Sequence, residues 1–306
     1  MANLRYMSES YHIPVLFEPT LEGLITDISG VYIDVTFGGG GHSRGILERL
    51  SDEGQLIAFD QDPDVLTHLP DDDRFTLIQA NFRYFSRFLR VHQVSEVDGI
   101  IADLGVSSYQ FDQPERGFTH RQNANLDMRM SQQGDKTAAT ILNGYSEKAL
   151  WDIFGQYGEI RNARTLAAKI TAERKARSIQ TVDDLMTILD QVMIGDRHRY
   201  LSQVFQALRI EVNEELESLK DLLTQSLRVL KPGGRLVVLS YHSLEDRLVK
   251  HFMKSGTFTG ELIKDDFGKI TRPFQVITKK PIVADADEIR QNPRSSSAKL
   301  RIAVKK

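Results

Sequence analysis

The stretch Asp34-Val-Thr-Phe-Gly38-Gly39-Gly40-Gly41-His42-Ser43 carries the residue types that most directly imply a ligand. Glycines let a ligand approach the backbone closely, and a helix opening behind them offers free amide donors. Four consecutive glycines cost conformational entropy that an ordinary strand-to-helix turn does not demand. Asp34, Gly38, Gly40 and Gly41 are therefore candidates for holding a nucleotide-like cofactor. The dinucleotide pattern G-x-G-x-x-G fails, since Ser43 stands where the third glycine belongs, and no G-K-[ST] of a P-loop is present. About twenty residues further on, Asp60 closes an apolar run where a carboxylate can accept both ribose hydroxyls of an adenosine. Asp62, just before Pro63, reads instead as the cap of the next helix. Phe82 follows a third run and either flanks an adenine or belongs to the core. Asp103 ends the fourth run, VDGIIAD, at the carboxyl edge where open α/β sheets bind ligands.

A sheet must position these residues. The runs 31–37, Gln55–Asp60, Phe75–Gln79 and Val97–Asp103 are short and apolar and alternate with helical patterns, which predicts βαβ units and a parallel sheet. From Leu104 to about Asn143 the chain is rich in Gly, Ser, Pro, Asn and Gln without periodicity, and a long loop around the active site is expected. Helical patterns at 147–155, 160–177 and 182–194 bring no strand with them and predict an inserted helical domain. One long helix over 205–230 should lead through the turn Lys231-Pro-Gly-Gly234 into a strand at 235–241 and a helix at 244–254. The segments 274–283 and 299–304 then close the sheet as a hairpin. The expected division is 1–110 and 208–306 for the sheet domain, with 111–207 as the insert.

Bulk composition narrows the class. With 306 residues, 41% of them hydrophobic, the chain can bury a full core and has room for about two domains. The absence of cysteine excludes disulfides, thiolate metal sites and cysteine nucleophiles, and fits a reducing cytoplasm. The start of the chain lacks an apolar leader and no run approaches the ~20 apolar residues of a membrane helix, so a cytoplasmic protein is expected. The eight histidines show no paired helical spacing, and no metal is expected. A net charge of −3 excludes a uniformly basic nucleic-acid binder but not local patches. Six Lys or Arg stand against one acid between Arg161 and Arg177, and six against none between Arg290 and Lys306; these are phosphate-binding surfaces or merely solvated faces.

An acidic residue directly ahead of a glycine loop resembles the first motif of methyltransferases with a Rossmann-like fold, and Asp34 fills that place. The motifs Asp103-Leu-Gly-Val-Ser-Ser108, Glu115-Arg-Gly-Phe118, Leu126-Asp-Met-Arg-Met130, Phe205-Gln-Ala-Leu-Arg-Ile210, His242-Ser-Leu-Glu-Asp-Arg247 and Asn292-Pro-Arg-Ser295 add to it. Together they resemble the bacterial 16S rRNA cytosine-N4 methyltransferase family, also called MraW, from His12 to the end of the chain. The resemblance implies a class I S-adenosyl-L-methionine-dependent methyltransferase with a helical substrate-recognition insert. It also implies transfer of a methyl group to the exocyclic amine of one cytidine in the decoding region of the small ribosomal subunit. The family's cofactor contacts fall on Gly40, Gly41, His42, Asp60, Phe82, Asp103 and Gln110; His42 and Gln110 rest on the resemblance alone. The segment Asp196 to Val204 departs from the family pattern in lacking a proline.

The amine of cytosine is a poor nucleophile because its lone pair is delocalised into the ring, so positioning and hydrogen-bond acceptors must supply the rate. DNA amino-methyltransferases place an acidic or polar residue before Pro-Pro-aromatic; here the place reads Asp103-Leu-Gly-Val106, matching in the acid only. Asp103 accepting the amine hydrogens, with Ser107 and Ser108 nearby, is one reading; service to the cofactor alone is the other. His242 is a candidate proton acceptor or base contact, with a structural role equally open. Tyr109, Phe111 and Phe118 can stack an extruded base or anchor the loop. Competing readings are a methyltransferase acting on another amine, a non-catalytic cofactor-binding ribosome-assembly factor and a nicotinamide oxidoreductase. Monomer and homodimer are both open.

Overall fold

The computed structural model describes residues 14–106, 113–264 and 267–306. Contacts divide the chain into two compact units, one formed by Met1–Gly105 with Ser218–Lys306 and the other by Val106–Glu217.

The first unit is built on a seven-stranded sheet of β1 (Val31–Asp34), β2 (Gln55–Asp60), β3 (Phe75–Gln79), β4 (Val97–Asp103), β5 (Leu230–Ser240), β6 (Phe274–Val276) and β7 (Lys299–Lys305). Its order is β3-β2-β1-β4-β5-β7-β6, parallel through β5, with β7 antiparallel to both its neighbours. This is the class I methyltransferase sheet that the resemblance implies. The central strands are apolar on both faces because helices cover both. Tyr32, Leu56, Ile101 and Val237 pack on α1 (Phe17–Leu24) and α2 (Gly41–Leu47). Ile33, Ile57, Ile100 and Val238 face Leu89 of α3 (Phe85–Val91) and apolar residues of the two helices flanking β5. In register, Asp34 sits beside Ala58 and Ile101, Asp60 beside Gln79, and Asp103 beside Leu239. Three carboxylates thus end three strands at one edge, where the strand order reverses between β1 and β4.

The second unit contains α4 (Ala138–Gly144), α5 (Glu147–Gln156), α6 (Ala163–Glu173), α7 (Val182–Val192) and α8 (Arg197–Asn213) around its own apolar core. Side chains that accept backbone N–H groups open these helices: Thr137 for α4, Ser146 for α5, Thr181 for α7 and Asp196 for α8.

Several expectations change. The single helix over 205–230 is two, α8 and α9 (Glu215–Val229), broken at Glu214 with φ 51°. Asn213 pins the break, donating to the Met128 carbonyl and accepting from the Met130 N–H, each at 2.8 Å. The boundary expected at 207/208 therefore falls inside α8, whose buried Leu208 and Val212 belong to the helical core; the division lies at 217/218. The loop expected up to Asn143 includes α4, and it buries Phe118, Leu126 and Met128 in that same core, so Phe118 anchors the segment and is no stacking platform. Lys231 to Gly234 bulge out within β5, where five residue steps from Leu230 to Arg235 oppose two from Val97 to Gly99. β1 ends at Asp34 and β6 at Val276, short of the expected limits.

Candidate active site

Asp34 is 1% exposed and spends its carboxylate on the glycine loop. Oδ2 accepts from Ser43 Oγ at 2.7 Å and Oδ1 from the Thr36 N–H at 3.0 Å. Burial pushes its pKa up, against these donors. Gly38 (φ 51°) and Gly40 (φ 74°) both lie in the left-handed region, and a Cβ at Gly40 would stand 2.7 Å from the Phe37 ring. Position 40 accordingly requires glycine, and position 38 favours it. A Cβ at Gly39 would meet nothing within 4 Å, so the loop keeps an open side. His42, the second residue of α2, is buried, stacks on Phe17 at 6.1 Å and has no partner for Nε2. Its burial lowers its pKa, so the ring is neutral.

Asp60 holds the loop from β2. Oδ2 accepts from the Gly38 N–H at 2.8 Å and Oδ1 from the Asp62 N–H at 2.9 Å. Burial pushes its pKa up to about 6, the two backbone donors opposing the rise. Each oxygen retains a second lone pair. Asp62 caps the turn Pro63–His68 through the Asp64 N–H, as its place before Pro63 predicts. Asn81 donates to Gln61 Oε1 at 2.9 Å, tying the ends of β2 and β3, and Phe82 is partly buried against the sheet core.

Asp103 lies at the centre of the edge. Its backbone N–H donates to Thr36 Oγ1 at 2.6 Å, joining β4 to the loop. Oδ1 accepts from the Tyr241 hydroxyl at 2.7 Å, and Oδ2 stands 3.5 Å from His42 Nδ1. Burial pushes its pKa up to about 7, the Tyr241 hydroxyl lowers it and the Glu245 charge raises it. His242 caps α10 (Ser243–Ser255) in a reciprocal capping box with Glu245, and Nε2 lies 3.2 Å from Glu245 Oε1. Its Nδ1 accepts from the Glu245 N–H at 3.5 Å, the structural role left open for it, while Nε2 has no hydrogen-bond partner among the described residues. Ser107, Ser108, Tyr109, Gln110 and Phe111 lie outside the described residues.

The profile of the MraW methylase family matches residues 9–306. The chain belongs to the MraW methylase family. It is 51% identical to the ribosomal RNA small subunit methyltransferase H of Parabacteroides distasonis, over 96% of this chain and 97% of that protein. Its identity to the protein of the same name from Flavobacterium johnsoniae is 54%, over 96% and 98%. A solved rRNA methylase structure from Streptococcus thermophilus aligns over 94% of this chain and 91% of its own, at 12% identity and a TM-score of 0.39.

As a MraW methylase the protein uses S-adenosyl-L-methionine. The edge fits such a group: two glycines with left-handed backbone, an open side at Gly39, spare lone pairs on Asp60 and a buried, unpartnered His42 Nε2. Thr36, Ser43 and Tyr241 join the site without having been singled out in the sequence; the polar residue at the end of the run 235–241 was the available signal for Tyr241. The two basic stretches differ. In α6 and its flanks Lys169 pairs with Glu173, Arg174 donates to the Leu142 carbonyl and Arg177 pairs with Asp184. Arg161, Arg164 and Lys175 have no carboxylate partner among the described residues, and Arg164 and Lys148 flank the half-exposed Trp151 ring. In the C-terminal stretch Arg301 is buried on Asp246 and Lys305 donates to the Leu230 carbonyl, so much of its charge serves the sheet. No helix among the described residues is long and apolar enough to cross a membrane.

Proposed function

We propose that this MraW methylase acts in the cytoplasm on ribosomal RNA, methylating the N4 amine of cytidine 1402 of 16S rRNA within the small subunit. The names of its relatives support the RNA class. The observation that carries the chemistry is Asp103, a carboxylate held at the strand-order reversal with one oxygen tied to Tyr241 and the other facing the loop. Bound S-adenosyl-L-methionine supplies an electrophilic methyl group. Gly38, Gly40 and Gly41 clear the backbone for it, with Asp34 bracing the loop. Asp60 accepts the ribose hydroxyls, Phe82 flanks the adenine, and His42 and Gln110 complete the contacts. Asp103 accepts hydrogens of the cytosine amine, which localises the nitrogen lone pair for attack. With a pKa of about 7 it can also take the proton that the amine releases and return it to water. Ser107 lies close enough in sequence to share the amine. Arg161, Arg164 and Lys175 in the helical unit are the phosphate contacts of this reading.

The test incubates the protein with labelled S-adenosyl-L-methionine and small subunits lacking the modification, with naked 16S rRNA in parallel, and identifies the methylated nucleoside by mass spectrometry. N4-methylcytidine at the single position is expected, with Asp103→Asn lowering kcat at least a hundredfold while cofactor affinity stays within severalfold. Methylation of no RNA by a protein that binds the cofactor would refute the RNA assignment.

A further inference from the structure

Tyr241 has no part in the chemistry proposed above, yet its hydroxyl is the hydrogen-bond donor to the Asp103 carboxylate, meeting Oδ1 at 2.7 Å. The ring is partly buried against the apolar cluster that Leu239 and Leu300 belong to. Its backbone N–H donates to Glu245 Oε2 at 2.9 Å, and the His242 N–H donates to the same oxygen at 3.3 Å. Glu245 itself is 3% exposed at the start of α10. On the other side the chain leaving β4 turns at Gly105 with φ 101°, where a Cβ would lie 3.5 Å from Tyr241 Cδ2. The backbone that carries the ring is therefore held, and the hydroxyl meets the Asp103 carboxylate.

Burial and the adjacent Asp103 charge push the Tyr241 pKa well above 10, so the phenol keeps its proton and acts only as a donor. A carboxylate that could rotate about its last bond would offer either oxygen to a substrate. Here Oδ1 is occupied and Oδ2 is left toward His42 Nδ1 at 3.5 Å. The ionisable groups facing Asp103 are Tyr241 at the end of β5, Glu245 on α10, His42 on α2 and Asp34 at the end of β1. Among them Tyr241 is the one that donates to the carboxylate with a good hydrogen bond.

We propose that Tyr241 is a positioning residue for methyl transfer: its hydroxyl fixes the rotation of the Asp103 carboxylate and favours its ionised form, so that Oδ2 is presented to the substrate amine. The inference rests on the role assigned to Asp103 above.

The experiment measures kcat and KM for RNA methylation from about pH 5.5 to about pH 9 in the wild type, Tyr241→Phe, Glu245→Gln and Asp103→Asn. Loss of a donor to an ionised carboxylate should move the acidic limb of kcat in Y241F upward by on the order of one pH unit. Activity then falls about tenfold on that limb, with a smaller loss persisting on the alkaline plateau where only the fixed rotation of the carboxylate is lost, and cofactor Kd and RNA KM stay within twofold. E245Q removes a negative charge that raises the Asp103 pKa, so its limb should move down. A Y241F limb that stays in place, an equal loss at every pH, or limbs that move in the same direction in both variants would overturn the proposal. Unchanged kcat in D103N would instead remove the premise, and is read independently of Y241F.

Discussion

Asp60 illustrates how much one carboxylate is asked to do. It holds the glycine loop through the Gly38 N–H and must still keep lone pairs for a ligand, all in surroundings that push its pKa up to about 6. The sign of the resulting pH effect follows. Hydroxyl donors favour the ionised form, so cofactor binding is full strength well above pH 6 and is lost as pH falls through that value. Calorimetric titration should show Kd for S-adenosyl-L-methionine rising up to tenfold per unit below about pH 6, whereas Asp60→Asn should bind weakly with no such slope. A wild-type Kd that is flat from neutral pH to about pH 5 would mean that Asp60 is not an acceptor for the ligand.

Among the elements, the tie between β7 and α10 bears on the site because α10 begins at the His242 and Glu245 capping box. Arg301 is 6% exposed and reaches Asp246 through two nitrogens, at 2.6 and 3.2 Å, with Lys299 at 3.7 Å. Removing one partner of a buried pair leaves the other charge unpaired, which costs about 3–5 kcal/mol, whereas replacing both with apolar groups is often close to neutral. Asp246→Ala should therefore destabilise the protein by about that amount in urea, and Asp246→Leu combined with Arg301→Met should recover most of the loss. A small effect of the single variant would show that water already reaches this pair.

For the molecule as a whole, the informative feature is that the helical unit has a core of its own. Leu166 is completely buried there, among residues that are all between Val106 and Glu217. Truncation to alanine should destabilise that unit by about 2–5 kcal/mol. Hydrogen exchange would find the loss of protection concentrated in α4 to α8, while cofactor affinity in the sheet unit stays within twofold. Loss of protection spread evenly over β1 to β5 would mean that the two units unfold as one.

Local rules made the sheet edge that carries the candidate site legible. Strand ends, a glycine loop and the spacing from Gly40 to Asp60 are all set by residues near each other in the chain, so Asp60 and Asp103 could be placed on strand termini from pattern alone, whereas the run holding Asp34 was expected to reach residue 37. Apolar runs likewise marked the central strands, because a strand buried on both faces must be apolar throughout. Three things were decided only in the fold. Tyr241 reached Asp103 across 138 positions of sequence, through the pairing of β4 with β5. His242, which carried the chemistry of an acid or base by type, was drawn into capping α10. The helix over 205–230 divided at Glu214 because Asn213 found partners in the segment around Met128, more than 80 residues earlier. Periodicity records which face of an element is apolar; which distant polar group will meet it is settled only when the strands have taken their order and register.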